Sequence, residues 1–286
     1  MSEQLFLFFQ KVLPKRFLTE ILGKLAGIQG GGLTTSFISY FIKRYGVNMT
    51  EAIHSDPSFY KTFNEFFTRE IKPELRPLAI APLVSPVDGA ISQAGIIQNE
   101  QIYQAKGKSF TTTALLGGDE ALAQSFTDGL FATLYLSPKD YHRIHMPCAG
   151  RLKSMIYIPG ALYSVNPLTA RSIDALFARN ERVVCVFEGD AGPFVMVLVG
   201  ATVVGSVATP WHGVVNSPRP HGVRRWEYDG SLRLEQGAEM GRFLLGSTVV
   251  MLLPQTAAYV LNTSWQPEKN IQMGEAMATP TSQYIR

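Results

Sequence analysis

Phe243-Leu244-Leu245-Gly246-Ser247-Thr248-Val249-Val250 joins an apolar approach, a Gly-Ser pair and a β-branched run. The run, continued by Met251-Leu252-Leu253, predicts a strand over residues 248–253. The pair before it predicts a turn in which glycine supplies conformations other residues avoid. Glycine also leaves its carbonyl sterically open, so the Ser247 hydroxyl is well placed to attack the carbonyl of Gly246, its own upstream peptide bond. Such an attack would cut the chain and leave residue 247 as a new terminus. Gly-Ser is equally a common turn dipeptide, and Gly205-Ser206 and Gly230-Ser231 repeat it. Local chemistry does not choose among the three.

Working outward, 286 residues hold one large domain or a core with an appendage, and 46% hydrophobic content excludes wholesale disorder. A formal charge of +3 with no long basic block argues against a nucleic-acid partner. Two cysteines, Cys148 and Cys185, make no disulfide framework and fit a reducing compartment. Met1-Ser2-Glu3-Gln4 lacks the basic start of a secretory signal, so a cytosolic origin is expected. The longest apolar stretch, 194–209, is Val-rich and broken by Gly200 and Gly205, which predicts two buried strands rather than a membrane span.

The N-terminus has another character. Leu5-Phe6-Leu7-Phe8-Phe9 is followed by Val12, Leu13, Phe17, Leu18, Ile21, Leu22 and Leu25 at roughly helical spacing, with Lys11, Lys15, Arg16 and Lys24 interleaved. An apolar face flanked by basic residues suits a helix lying in an anionic membrane surface. The alternative is a helix packing that face on its own core; three phenylalanines in five residues favour the membrane. Pro14 starts a new helix or kinks the first. After Gly30-Gly31-Gly32, Phe37-Ile38-Ser39-Tyr40-Phe41-Ile42-Lys43-Arg44 extends the same pattern.

Roughly the first seventy residues read as helical, ending where Pro73, Pro77, Pro82 and Pro86 change the texture. Short strands follow at 90–94, 130–136, 152–158, 182–188, 194–199, 201–207 and 248–253, with helices near 112–116 and 168–177. The fold class is α+β: a helical, membrane-associating N-terminal region (1–75) followed by a β-rich, mainly antiparallel domain (76–286) without βαβ alternation. The stretch from Gln266 reads as a weakly structured tail or a packed arm.

Two further motifs bear on chemistry. Ser85-Pro86-Val87-Asp88-Gly89 reads as a tight turn entering a strand and fixing an acidic side chain. Tyr141-His142-Arg143-Ile144-His145-Met146-Pro147 places two of five histidines within four residues. His-x-x-His could chelate a metal with Asp88 or Cys148, but Pro138 and Pro147 flank it and no His-Glu-x-x-His form exists, so no metal is expected. The other use is acid–base chemistry, in which a histidine oriented by Asp88 takes the proton from a serine hydroxyl. A lipid-active serine hydrolase built on Asp88, His145 and Ser247 is the competing reading. Against it, the chain has no Gly-x-Ser-x-Gly elbow. Gly107-Lys108-Ser109 imitates a phosphate loop but has Ile102 at the required upstream glycine.

Together, Ser85–Gly89, Tyr141–Pro147 and Leu245-Gly246-Ser247-Thr248 resemble phosphatidylserine decarboxylase, a pyruvoyl-dependent, membrane-associated prokaryotic family. Gln104-Ala105-Lys106-Gly107, residues 177–182 and residues 199–206 resemble it too. The similarity runs to about Pro254, is looser over 211–226, and leaves the tail beyond Trp265 unmatched. The resemblance implies autocatalytic serinolysis at Gly246-Ser247, with His145 as base and Asp88 holding its tautomer. Residues 1–246 become a β chain and 247–286 an α chain that stays associated with it, and the implied assembly is a homodimer of αβ units. Ser247 becomes a covalent pyruvoyl group, the only cofactor. The implied reaction converts phosphatidylserine to phosphatidylethanolamine and carbon dioxide through a Schiff base with that group. His142 is the candidate proton donor, with His145 as the other. Arg179 and Arg182 are candidates for the lipid phosphate or carboxylate, or plain surface cations. The implied location is peripheral, on the cytoplasmic side of the cell membrane.

Overall fold

The apolar runs assemble into a nine-stranded sheet in which every pairing is antiparallel. Its order is Arg224–Glu227, Gly150–Ile158, Arg182–Gly189, Gly192–Val199, Ser247–Leu253, Leu130–Leu136, Gly89–Ile96 and Asn270–Ile271, with Arg233–Leu234 also on Gly150–Ile158. The computed structural model describes residues 3–202, 206–216, 219–244 and 247–281, with Lys11 and Ser247 described in their main chain only.

Side chains alternate across a strand, and here both faces are covered. Val250 and Leu252 enter one core with Val195, Val197, Phe66, Phe126 and Phe177. Val249 and Met251 enter the other with Met196, Leu198, Ile144, Met240 and Phe243. Helical segments cover the first face. The second is covered by a four-stranded sheet, in the order Gly213–Val214, Val207–Thr209, Glu239–Phe243, Arg143–His145, and by a three-stranded one. Double coverage is why these strands read as continuous apolar runs rather than as alternation.

Several expectations need correction. Among the described residues, the helices before residue 75 are α1 (Glu3–Val12), α2 (Lys15–Ala26), α3 (Gly32–Tyr45) and a short one at Phe63–Phe67, plus 3-10 turns. Gly46, in the left-handed region at φ 69, ends α3, and much of 47–62 is irregular. Tyr60, Phe63, Phe66 and Phe67 share a core with Val184 and Val250, so no core boundary falls at residue 75. The helix expected at 168–177 splits into Pro167–Ser172 and Leu176–Arg179, because Ala175 adopts φ 49. Of the strand expected at 201–207, Thr202 lies in a turn, 203–205 fall outside the described residues, and a strand begins only at Val207. The tail is a packed arm: Asn270–Ile271 pairs with Gly89–Ile96, and Ala276–Pro280 pairs with Leu83–Val84 and Tyr259–Leu261.

The first two helices dock with their polar side inward. Gln10, Thr19 and Ala26 are buried. The Gln10 side-chain oxygen accepts from the Ser164 amide at 2.9 Å, Lys15 lies 4.6 Å from the Tyr163 ring centre, and Glu20 pairs with Arg219 at 3.6 Å. The apolar residues face outward, with Phe8 58% and Phe17 61% exposed. The alternative, an apolar face turned to the protein's own core, is not what the fold adopts. Among the described residues no helix is long and apolar enough to cross a membrane.

Candidate active site

The site grows from one crossing of the chain between sheets. Glu239–Phe243 belongs to the four-stranded sheet and Ser247–Leu253 to the large one. The Gly246-Ser247 bond lies between them; Gly246 itself is outside the described residues, as is the Ser247 side chain. In its main chain Ser247 is in register with Leu136.

His142 is held beside this crossing at both ends. Its carbonyl accepts from the Phe243 amide at 3.1 Å, and its ring Nε2 is 3.0 Å from the carbonyl of Ser137, the residue after Leu136. A carbonyl can only accept, so Nε2 carries the proton and Nδ1 presents a bare lone pair. That Nδ1 is buried with no hydrogen-bond partner among the described residues. The ring stacks on Phe67 with centroids 4.0 Å apart, and burial, helped by the nearby Arg69 charge, pushes its pKa down to about 3.

His145 stands further along the same strand pair, opposite Glu239. Its amide donates to the Pro86 carbonyl at 2.9 Å, which brings the Asp88 turn and the histidine strand together through their main chains. Its Nδ1 donates to the Gly237 carbonyl at 2.8 Å, so Nε2 is the free base and accepts from the Tyr141 hydroxyl at 3.0 Å. Burial lowers the His145 pKa, against the Gly237 bond that raises it. Burial also raises that of Tyr141, which stays a neutral donor.

Asp88 is engaged elsewhere. Arg76 grips its carboxylate, Nε at 2.9 Å from Oδ1 and Nη2 at 2.6 Å from Oδ2, while the Met273 amide donates to Oδ1 at 2.8 Å. Gly89 allows this placement, since a Cβ there would come within 2.3 Å of the Tyr135 carbonyl oxygen. No described hydrogen bond joins Asp88 to His145; in the continuous chain the ring is oriented by Gly237, not by Asp88. The cation candidates also resolve. Arg182 is buried and spends its donors on the carbonyls of Ala114, Leu115 and Asn180, a structural role. Arg179 lies exposed over Tyr163. Tyr141, Arg76 and Gly237 were not singled out from sequence. Tyr141 stands inside the quoted histidine motif, the one signal that could have found it.

The two buried histidines set a pH dependence. Unfolded histidine titrates near the ordinary 6.5, whereas folded His142 does so at about 3, so unfolding takes up protons between these values. Stability is fully present above about pH 6.5 and falls as pH drops, by up to about 1.4 kcal/mol per pH unit for each ring. Thermal melts from pH 7.5 to 5 should show a falling midpoint, less steep in His142→Phe. Identical slopes would mean that His142 is solvated.

A family model described as phosphatidylserine decarboxylase matches residues 63–279, and a second, described as PSD, matches 5–46. The chain belongs to the phosphatidylserine decarboxylase family. It is 63% identical to a phosphatidylserine decarboxylase proenzyme of Azoarcus over 97% of its own length and 96% of the relative's. Proenzymes of the same name from Dechloromonas aromatica and Chromobacterium violaceum are 59% and 61% identical over 98% of this chain and 99% and 100% of theirs. As a member of this family the protein is a decarboxylase enzyme. The shorter matched segment begins inside α1 and contains α2 and α3, and His142, His145, Asp88 and Ser247 fall within the longer.

Proposed function

We propose that this decarboxylase acts on phosphatidylserine, releasing carbon dioxide and phosphatidylethanolamine, and that it makes its own pyruvoyl group by cutting the Gly246-Ser247 bond. The observation that carries the reading is the buried, unpartnered Nδ1 of His142, held beside the register position of Ser247. A bare acceptor of this kind costs free energy unless a functional group meets it. It fits a site that receives an N–H donor, such as the amine of a substrate brought to residue 247. The name proenzyme carried by the relatives supports the same processing.

In the first step His145, neutral and with its lone pair on Nε2, takes the Ser247 hydroxyl proton, and the hydroxyl attacks the Gly246 carbonyl. Tyr141 holds that lone pair in the continuous chain and must yield it. The Nδ1 bond to Gly237 fixes the tautomer, while Asp88 contributes through Arg76 and the main-chain link between Pro86 and His145. Ester formation and elimination free residues 1–246 as a carboxylate that keeps the serine oxygen and leave dehydroalanine at residue 247; its imine tautomer adds water and loses ammonia, so the new carbonyl oxygen comes from water.

The pyruvoyl group supplies an electrophile for the substrate amine and an acceptor for the electron pair freed when carbon dioxide leaves. His142 delivers the proton to the carbon left behind. The burial that disfavours its charged form makes it, once protonated, a ready donor. The outward apolar face of α1 and α2 brings the site to the headgroup plane, peripherally, on the cytoplasmic side of the cell membrane. The two products stay together, because residues 247–253 form an inner strand of the large sheet.

Denaturing electrophoresis with intact mass, alongside carbon dioxide release from phosphatidylserine micelles, tests the reading. Two chains, the shorter of 40 residues and blocked at its N-terminus, are expected. An active protein that stays wholly full-length, with Ser247 unaltered, would sink it.

A further inference from the structure

Three arginines converge on the histidine motif, and two are neutralised. Arg76 pairs with Asp88 and Glu51, at 2.6 Å and 2.8 Å. Arg143 pairs with Glu70 and Glu239, at 2.9 Å and 3.0 Å. Arg69 is 5% exposed, more deeply buried than many apolar side chains, and none of the ion pairs among the described residues includes it.

Its guanidinium is fixed but only partly used. Nη2 donates to the Lys139 carbonyl at 3.0 Å and lies 3.5 Å from that of Asp140. The group sits 5.5 Å from the Phe66 ring centre. Nε and Nη1 are buried and have no acceptor among the described residues. The residue is held rigidly, since its amide bonds to Phe66 and the neighbouring Phe66 and Phe67 are core. Arg69 lines a cavity of about 290 Å³ shared with Tyr141, Asp88, Lys139 and Asn270. Tyr141 carries the hydroxyl on His145, and the charge of Arg69 is felt by His142. A buried cation with unused donors, on a side chain that lines a cavity, is a state that an anion relieves.

We propose that Arg69 receives the phosphodiester of the substrate headgroup in this cavity, an assignment that rests on the phosphatidylserine reading above. Two oxyanions are present on that headgroup, and their chemistry separates them. The carboxylate leaves as neutral carbon dioxide, so a cation bound to it would stabilise the ground state more than the transition state. The phosphodiester keeps its charge throughout the reaction and sits a few bonds from the reacting amine. Arg69 is thus a positioning residue for the lipid rather than a participant in bond breaking. Its contribution is uniform binding, which is expressed in KM and not in kcat.

Processed wild-type and Arg69→Gln proteins, each verified by intact mass as cut, are compared for carbon dioxide release in mixed micelles. The substrates are phosphatidylserine and a phosphate-free analogue, serine joined through its oxygen to an alkyl chain. In Arg69→Gln the KM for phosphatidylserine should rise roughly ten- to a hundredfold, the range of one lost charge-assisted hydrogen bond. Its kcat should hold, and the analogue should be turned over as by wild type. Equal loss on both substrates, or an unchanged KM, overturns the assignment. Should Arg69→Gln not mature, the wild type alone decides. Glycerophosphoserine should compete with substrate at least tenfold better than serine, and equal competition by the two overturns the assignment. A wild-type protein that neither cuts itself nor releases carbon dioxide defeats the functional reading instead.

Discussion

Replacing Ser247 with alanine is expected to leave one uncut chain of 31.6 kDa with no decarboxylase activity. The substitution removes the nucleophilic oxygen and, with it, the only route to a carbonyl at residue 247. Loss of a nucleophile costs on the order of 10⁴-fold or more, and here the same atom is needed for maturation, so no residual turnover is expected. The fold should survive. The contribution of Ser247 to the large sheet is main-chain pairing with Leu136, which alanine keeps. An unchanged melting midpoint beside a missing 40-residue fragment would separate chemistry from stability. His145→Ala should arrest the chain at the same full-length stage. If Ser247→Ala instead halts fatty-acid release from an enzyme that was never cut, and a phosphonate labels the wild-type serine, the protein is a hydrolase and the pyruvoyl mechanism fails.

Asp88→Ala should produce the second large effect, on stability as much as on maturation. Arg76 is buried, and its pair with Asp88 shows side-chain exposures of 4% and 11%. Removing one partner of a buried pair typically costs about 3–5 kcal/mol; the half-buried Glu51 stays on Arg76 and offsets part of it, so the lower end is expected. The Met273 amide loses its acceptor too, which loosens the arm whose Asn270–Ile271 strand closes the edge of the large sheet. Urea unfolding of uncut protein measures this. The double variant Arg76→Met/Asp88→Leu should recover most of the lost stability, since an apolar pair replaces the ionic one, and yet remain slow to mature. An Asp88→Ala protein of wild-type stability that merely fails to cut itself would instead make Asp88 a direct partner of the histidine.

Legibility followed how local the cause was. The strand Leu130–Leu136 and its neighbour Ser247–Leu253 could be read because an unbroken apolar, β-branched run has few other homes. The break in the helix at 168–177 has no sequence signal, because it depends on a left-handed Ala175, a residue with no propensity for that shape. The arm after Gln266 gives little pattern of its own. It is ordered by edges it finds on Gly89–Ile96 and Leu83–Val84.

The site divided in the same way. Asp88, His142 and His145 stood out as residue types in compact motifs, but their hydrogen-bond partners lie up to 185 positions away, as Met273 does from Asp88. Gly237, which orients His145, contributes only a carbonyl, and no side-chain pattern announces a carbonyl. In the sequence Arg69 is one more charge after a phenylalanine-rich segment. Its isolation is a property of what fails to surround it, visible only once the chain is folded.

The place of Ser247–Leu253 between Gly192–Val199 and Leu130–Leu136 has a consequence for the life history of the molecule. Folding is unimolecular while the peptide bond at 246 is intact, because the middle of the large sheet is supplied by the same chain. Were that bond cut as proposed, the sheet's inner strand would belong to a separate 40-residue peptide. An unfolded mature particle would have to find its own fragment by diffusion, and its recovery would become second order in protein. On the proposed processing, making the cofactor would spend the instructions for assembly, and each copy of the enzyme would fold once.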